Sequence, residues 1–368
     1  PRGVCLIKYP HPLDYATGLK YALTSKKLNI LFEASSSSFH VEELVDFDKL
    51  GFNVEKGDYA VLRAVRREAD TLKVIRLLER HLGVPLSNIH LFGLKDKNAL
   101  AVSYFFVKSS FVDKAVFPIA TKNVTIELIG YVKCKPRRVH HLGNKFTVYI
   151  KDATREDIDV LKEIVDLILK VGLPSYYGYQ RFGYSRYNTH LLGKYMLVKR
   201  EDLFARDFLV SLYPLESDDV LVKRVKLDFD TLWYEQRYVS SPLRAGLKLI
   251  SRYTRSIFIH AYGSYLFNML INELVDSFGI EFLQNKSLPL PGCTESYTYY
   301  ESIVKREGLT MEMLKYMPCY KRPALFKPHG NTIEVQGDEV VYKFTLDPGM
   351  YATVVLRELF KENLVIRI

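Results

Sequence analysis

No run of about 18 or more apolar residues occurs in this 368-residue chain, so no segment reads as a transmembrane helix. The start, Pro1-Arg2-Gly3-Val4-Cys5, carries no long apolar stretch, and no signal peptide is expected. Cysteine is scarce: Cys5, Cys134, Cys293 and Cys319 are scattered, with no Cys-x-x-Cys pair. Neither a zinc site nor a disulfide framework is expected from that pattern, and a reducing, cytoplasmic location is. The nine histidines include no His-Glu-x-x-His spacing. No glycine-rich loop follows a strand-like segment, which argues against a nucleotide-dependent enzyme such as a methyltransferase. The expectation is a chain with no metal, no cofactor and no membrane partner.

What the chain has in abundance is positive charge and tyrosine. Fifty-two basic against 42 acidic residues give a formal net charge of +10. A basic surface suits a polyanion such as nucleic acid, although a solvated basic face would look the same from composition. There are 26 Tyr and 21 Phe but one Trp. Tyrosine can stack on a splayed base and hydrogen-bond to it, while most copies in any chain serve packing. With 48% hydrophobic and 26% charged residues, the composition is that of a globular protein, and the length suggests two domains or one with a large insertion.

Periodicity supplies the organisation. Tyr59 to Val65, Leu100 to Val107, Val124 to Ile129 and Val340 to Leu346 read as strands, and Phe146, Val148 and Ile150 alternate with polar neighbours. Thr71 to Leu82 reads as a helix capped by Asp70 or Thr71 and ended by Gly83. Ile158, Leu161, Val165 and Ile168 share one face of a helix from Arg155 to Lys170. Longer helical stretches, notably Ile257 to Leu274, then replace the strands. The end returns to strand and helix, with a helix from Tyr351 to Phe360. This order predicts an α+β fold, with a mixed, mainly antiparallel sheet and flanking helices interrupted by an inserted domain. The expected division is 1–200 for the first part of the core, 201–325 for the insertion and 326–368 for the rest of the core.

Several segments carry chemistry-bearing residues. Asp96 stands between Lys95 and Lys97 after Gly93, and the two cations favour its ionised form. Such an aspartate can be a nucleophile or base, or simply a turn residue. Tyr177-Gly178-Tyr179-Gln180-Arg181-Phe182-Gly183 is dense in aromatics. Its Gln can read a base edge and its Arg can hold a phosphate, or the loop can pack on a core. Gly143-Asn144-Lys145-Phe146 follows the basic stretch Lys133 to Arg138. Tyr351-Ala352-Thr353 continues to Leu356-Arg357-Glu358 after a Pro348-Gly349 turn.

Taken together and in this order, these segments resemble the TruD family of tRNA pseudouridine synthases. Gly93 to Lys97, Gly143 to Phe146, Tyr177 to Gly183, Asn188, Gly193 and Tyr351 to Glu358 match its pattern. His260 to Asn268 is similar to the helix of the family's inserted domain. The resemblance implies a pseudouridine synthase core, an inserted α+β TRUD domain, and Asp96 as the catalytic aspartate. It implies a tRNA substrate, with uridine 13, or position 35 of a precursor tRNA, as the target. Substrate contacts are expected from Phe39, Lys95, Asn144, Tyr177, Gln180, Arg181 and Phe182. Tyr177 and Phe39 are the candidates to stack on a base flipped towards Asp96.

The chain departs from the family pattern at Glu33 (usually Lys), Ser103 (Gln), Ser175 (Asn) and Gly263 (Gln). Without the usual Lys, Lys95 or Arg181 would hold Asp96 ionised. The expected enzyme is a cofactor-independent isomerase working as a cytoplasmic monomer. Its aspartate attacks C1′ or assists elimination to a glycal. A tRNA-binding chaperone of the same fold is the alternative that the departures suggest.

Overall fold

The computed structural model describes residues 5–93, 98–183, 186–210, 216–227, 236, 239 and 250–366. The chain divides into two compact units, one of residues 26–170 and 327–366, the other of residues 1–25, 171–326 and 367–368.

The first unit is built on one nine-stranded sheet. Its main strands are β1 (Phe39–Val45), β2 (Tyr59–Arg67), β3 (Leu100–Lys108), β4 (Val124–Val132), β5 (His141–Ile150), β6 (His329–Gln336) and β7 (Glu339–Leu346). They lie in the order β6-β7-β5-β1-β3-β2-β4, with Phe52–Asn53 and Ile119–Ala120 as short strands on β4. Every pairing is antiparallel except β1 with β3, where His40, Val41 and Glu42 lie beside Leu100, Ala101 and Val102. The mixed, mainly antiparallel sheet expected from the sequence is thus present.

Because side chains alternate across a strand, the register fixes which residues share a face. Phe39, Val41 and Glu43 pair with Val148, Phe146 and Asn144 on β5, which pair in turn with Tyr342, Phe344 and Leu346 on β7. Phe39, Phe146 and Phe344 stack in sequence, with centroids 5.7 and 5.3 Å apart. Helix α1 (Thr71–Leu82) buries Val74, Ile75, Leu77 and Leu78 in one cluster with Leu62, Ala64, Phe105 and Ile126 of the sheet. Each such burial stabilises by roughly 1.5–3 kcal/mol. The Asp70 carboxylate accepts the Lys73 N–H at 2.7 Å, and Gly83 ends the helix in the left-handed region. Helix α2 (Arg155–Val171) and α8 (Ala352–Phe360, buried along its whole length) complete this unit's major helices. Arg357 and Glu358 are both buried, and Glu358 pairs with Lys361 at 2.7 Å.

The second unit is mainly helical: α3 (Thr189–Leu197), α4 (Glu201–Val210), α5 (Asp218–Lys226), α6 (Arg252–Phe278) and α7 (Tyr297–Arg306). Leu192, Phe204, Phe208, Leu221, Val225 and Phe258 form a shared core. Gly193 lets α3 meet α6 closely, since a Cβ there would fall 2.1 Å from the Phe258 carbonyl oxygen. That close approach ties α3 to α6 within this unit.

Cys293 and Cys319 are disulfide-bonded, with Cα atoms 4.5 Å apart, where the sequence predicts no disulfide framework. The ribbon pairing Ser287–Pro289 with Lys321–Pro323 brings these distant positions together, a juxtaposition that local spacing does not reveal. Among the described residues no helix is long and apolar enough to cross a membrane.

Candidate active site

Asp96 and Lys95 lie outside the described residues. The chain on either side of them is firmly held. His90 exchanges both backbone hydrogen bonds with Phe106 at 2.9 Å. The Phe92 ring stacks on His141 at 5.4 Å and an interplanar angle of 2°, and meets Phe106 edge-on. On the far side, Ala99 is buried and its carbonyl accepts the Glu68 N–H at 3.2 Å.

Next to these anchors, one face of the sheet changes from apolar to polar. Asn144 on β5 pairs with Glu43 on β1. Glu43 and Ser103 follow directly on the paired Glu42 and Val102, so Ser103 continues the row on β3. The Glu43 carboxylate is buried; its Oε2 accepts the Tyr104 N–H at 3.0 Å and its Oε1 lies 3.9 Å from His141 Nε2. Asn144 Oδ1 and Ser103 Oγ are enclosed, yet neither has a hydrogen-bond partner among the described residues. A buried polar atom left unpaired costs about 1–3 kcal/mol, so each of these two atoms carries an unmet demand for a partner. In the neighbouring row Arg66 is fully buried and donates from Nη1 to Thr71 Oγ1 at 2.9 Å.

Of the residues expected to contact substrate, Asn144 and Phe39 belong to this sheet unit. Asn144 stands in the polar row. Phe39 is 3% exposed and stacked on Phe146, which gives it a packing role.

Tyr177, Gln180, Arg181 and Phe182 belong to the helical unit. Two asparagines one turn apart on α6 hold the start of this segment, at Tyr176 and Tyr177. Asn268 Oδ1 accepts the Tyr177 N–H at 2.8 Å, and its Nδ2 donates to the carbonyls of Thr17 and Tyr177 at 3.0 and 3.1 Å. Asn272 Oδ1 accepts the Tyr176 hydroxyl at 2.6 Å, and its Nδ2 donates to the Gly18 carbonyl at 3.0 Å. Tyr177, expected to stack on the flipped base, is only 4% exposed. Its hydroxyl meets that of Tyr320 at 2.6 Å, and the Arg322 guanidinium lies 4.3 Å from the ring centre. One ring face is therefore already occupied. Phe182 is fully buried against His190, whose pKa burial pushes down to about 4.

Gln180 and Arg181 remain half-exposed. Arg181 donates from Nε to Ser264 Oγ at 2.9 Å. The contributions of Glu43, Ser264, Asn268 and Asn272 went unread in the sequence. A polar pair at i and i+4 on an otherwise apolar helix, as at 268 and 272, was the available signal.

A mixed, mainly antiparallel sheet with flanking helices and a separate helical unit defines an α+β protein. The family model described as tRNA pseudouridine synthase D (TruD) matches residues 17–283 and 282–359. The chain belongs to that family, whose reaction is the isomerisation of uridine to pseudouridine.

It is 26% identical over 384 residues to the tRNA pseudouridine synthase D of Aquifex aeolicus, covering 90% of this chain and 98% of that one. It is 30% identical over 353 residues to a probable tRNA pseudouridine synthase D of Methanopyrus kandleri, covering 84% of each. In fold it is similar to a crystal structure of the putative enzyme from Methanosarcina mazei. The TM-score is 0.59 at 21% identity, over 92% of this chain and 94% of that one.

Proposed function

We propose that this chain converts a tRNA uridine to pseudouridine with Asp96 as its nucleophile and the Asn144–Glu43–Ser103 row as the floor on which the base is held. The observation that carries this reading is the pair of enclosed, unpartnered atoms, Asn144 Oδ1 and Ser103 Oγ, in the unit that contains Asp96. Uracil supplies their complements: an N3–H donor for the amide oxygen and carbonyl oxygens for the hydroxyl.

A base stacked in a duplex cannot reach such a floor, so the nucleotide is flipped out. The Asp96 carboxylate bonds to C1′ as the N1–C1′ bond breaks and its electron pair passes to the uracil. The base turns, C5 bonds to C1′, and the carboxylate departs. The proton on C5 is then removed, with Asp96 the available base. The sequence requires no redox partner, metal or nucleotide. Lys95 beside Asp96 in sequence favours the carboxylate form. The same reading has the enzyme acting as a cytoplasmic monomer, with uridine 13 the favoured target and position 35 of a precursor tRNA the second.

Asp96→Asn is expected to abolish tritium release from C5-labelled tRNA while tRNA binding persists. Turnover at the wild-type rate overturns the nucleophile assignment. Mass spectrometry of cyanoethylated tRNA from cells lacking the protein names the uridine.

A further inference from the structure

Arg181 differs from several described cations that stand in ion pairs. Arg63 pairs with Glu127, Arg224 with Glu216, Arg306 with Glu273 and Lys194 with Glu307. Arg181 has no ion pair among the described residues, although it is half-buried and held in place. Its Nε–H is donated to Ser264 Oγ, and Ser264 passes its own hydrogen to the His260 carbonyl at 2.9 Å. The 3-10 turn Tyr179–Phe182 and helix α6 therefore fix the guanidinium by one edge and leave both Nη groups for a ligand. A guanidinium so fixed presents two parallel donors, the geometry that matches phosphate oxygens.

His260, half-buried on α6, lies one turn before Ser264 and so on the same face of the helix. Burial, and then the Arg181 charge, lower its pKa below the usual histidine value. Its helical neighbours one turn away, Ser256, Ile257, Gly263 and Ser264, are uncharged. Across from it the 3-10 turn contributes Arg181, the one charged group among the described residues that bears on the ring. An anion bound between guanidinium and imidazole would neutralise the first and favour protonation of the second.

We infer that Arg181, held by Ser264, and His260 form a subsite for one phosphodiester group of the RNA backbone, and that filling it draws a proton onto His260. This deepens the tRNA reading above and rests on it, because the basic chain and its family point to RNA as the polyanion. Such a subsite adds affinity without reading sequence.

The test measures tRNA transcript binding by fluorescence anisotropy, in the Asp96→Asn background so that turnover does not intrude. Dissociation constants are taken across a salt series at about pH 5.5 and about pH 8, either side of an ordinary histidine pKa. Arg181→Gln is expected to weaken binding and to flatten the slope of log Kd against log salt by about one. Arg181→Lys, which keeps the charge, should restore most of that slope. Low pH tightens RNA binding through any histidine that gains charge, so His260→Gln isolates this one. It should match the parent at the higher pH and lose about threefold to tenfold of the tightening at the lower, the effect of up to one unit of pKa change.

An unchanged salt slope in Arg181→Gln, or full low-pH tightening in His260→Gln, overturns the subsite. Failure of the parent protein to bind tRNA at all overturns the enzyme reading instead. Thermal unfolding of each variant identifies a folding defect, and a defect that accounts for the whole affinity loss also counts against the subsite.

Discussion

Asn268 offers the sharpest test of how the helical unit holds its motif. Its side chain is fully buried on α6, and it makes three hydrogen bonds, all to backbone: one accepted from Tyr177 and two donated to Thr17 and Tyr177. Asn268→Ala removes every one and leaves an enclosed N–H and two carbonyls short of a partner. The orphaned N–H alone costs about 1–3 kcal/mol, and the weakened carbonyls and the small cavity add to it. The sum worked from these contacts is about 3–5 kcal/mol, a large part of a typical domain's stability. Urea unfolding followed by circular dichroism should show the midpoint falling by about 1–2 M for a slope of about 3 kcal/mol/M. Asn268→Asp keeps the acceptor but loses both donors and places a charge in the same enclosure, so it should not rescue. A loss below about 1 kcal/mol in Asn268→Ala refutes the idea that this amide fastens the Tyr177–Gly183 segment.

The remaining predictions concern the polar row and the cysteines. Asn144→Ala should lower kcat/KM on tRNA at least about tenfold, near 1.4 kcal/mol of transition-state stabilisation, while stability changes by less than about 1 kcal/mol. The split is expected because Asn144 Oδ1 has no partner to lose in the free protein; parallel losses of stability and activity would count against a substrate contact. For the cysteines, a thiol reagent on the native protein should modify two residues, the exposed Cys5 and Cys134, and four after reduction and unfolding. Reduction should lower stability by about 3–4 kcal/mol, the loop-closure entropy of a 26-residue separation. Four reactive thiols in the native, unreduced protein would refute the pairing.

Much of the fold is legible from periodicity where burial is one-sided. Thr71–Leu82 is bounded as Asp70 and Gly83 predict, because capping chemistry is local. The strands at Tyr59, Leu100, Val124 and Glu339 emerge within a few residues of their apolar alternation. Strands β1 and β6 were not legible, for different reasons. In β1 the inward position after Phe39 and Val41 is Glu43, so a charge sits where the alternation demands an apolar residue. β6 is an edge strand of largely exposed residues, His329 to Gln336, with no buried face to imprint a period. The domain boundary and the disulfide both depend on pairings between segments far apart in the chain, which no local pattern encodes.

The candidate site was legible as a set of motifs but not as a set of roles. A motif pools residues constrained by packing with residues constrained by chemistry, and the structure separates them by whether their bonding capacity is already filled. Phe39, Phe182 and Tyr177 are enclosed by rings and hydroxyls, and Asn268 and Glu358 have saturated partners. Even Gly143 belongs with these, since at a φ of 135° a Cβ would fall 2.2 Å from the Leu346 carbonyl oxygen. Its absence lets the irregularity between His141 and Gly143 set Asn144 opposite Glu43. Asn144, Ser103 and Arg181 instead hold donors or acceptors that the described protein leaves unmatched. Where the atom is enclosed, as at Asn144 and Ser103, the vacancy costs free energy that a partner would recover. On the proposed reading such vacancies mark the candidate substrate contacts more directly than position within a motif does.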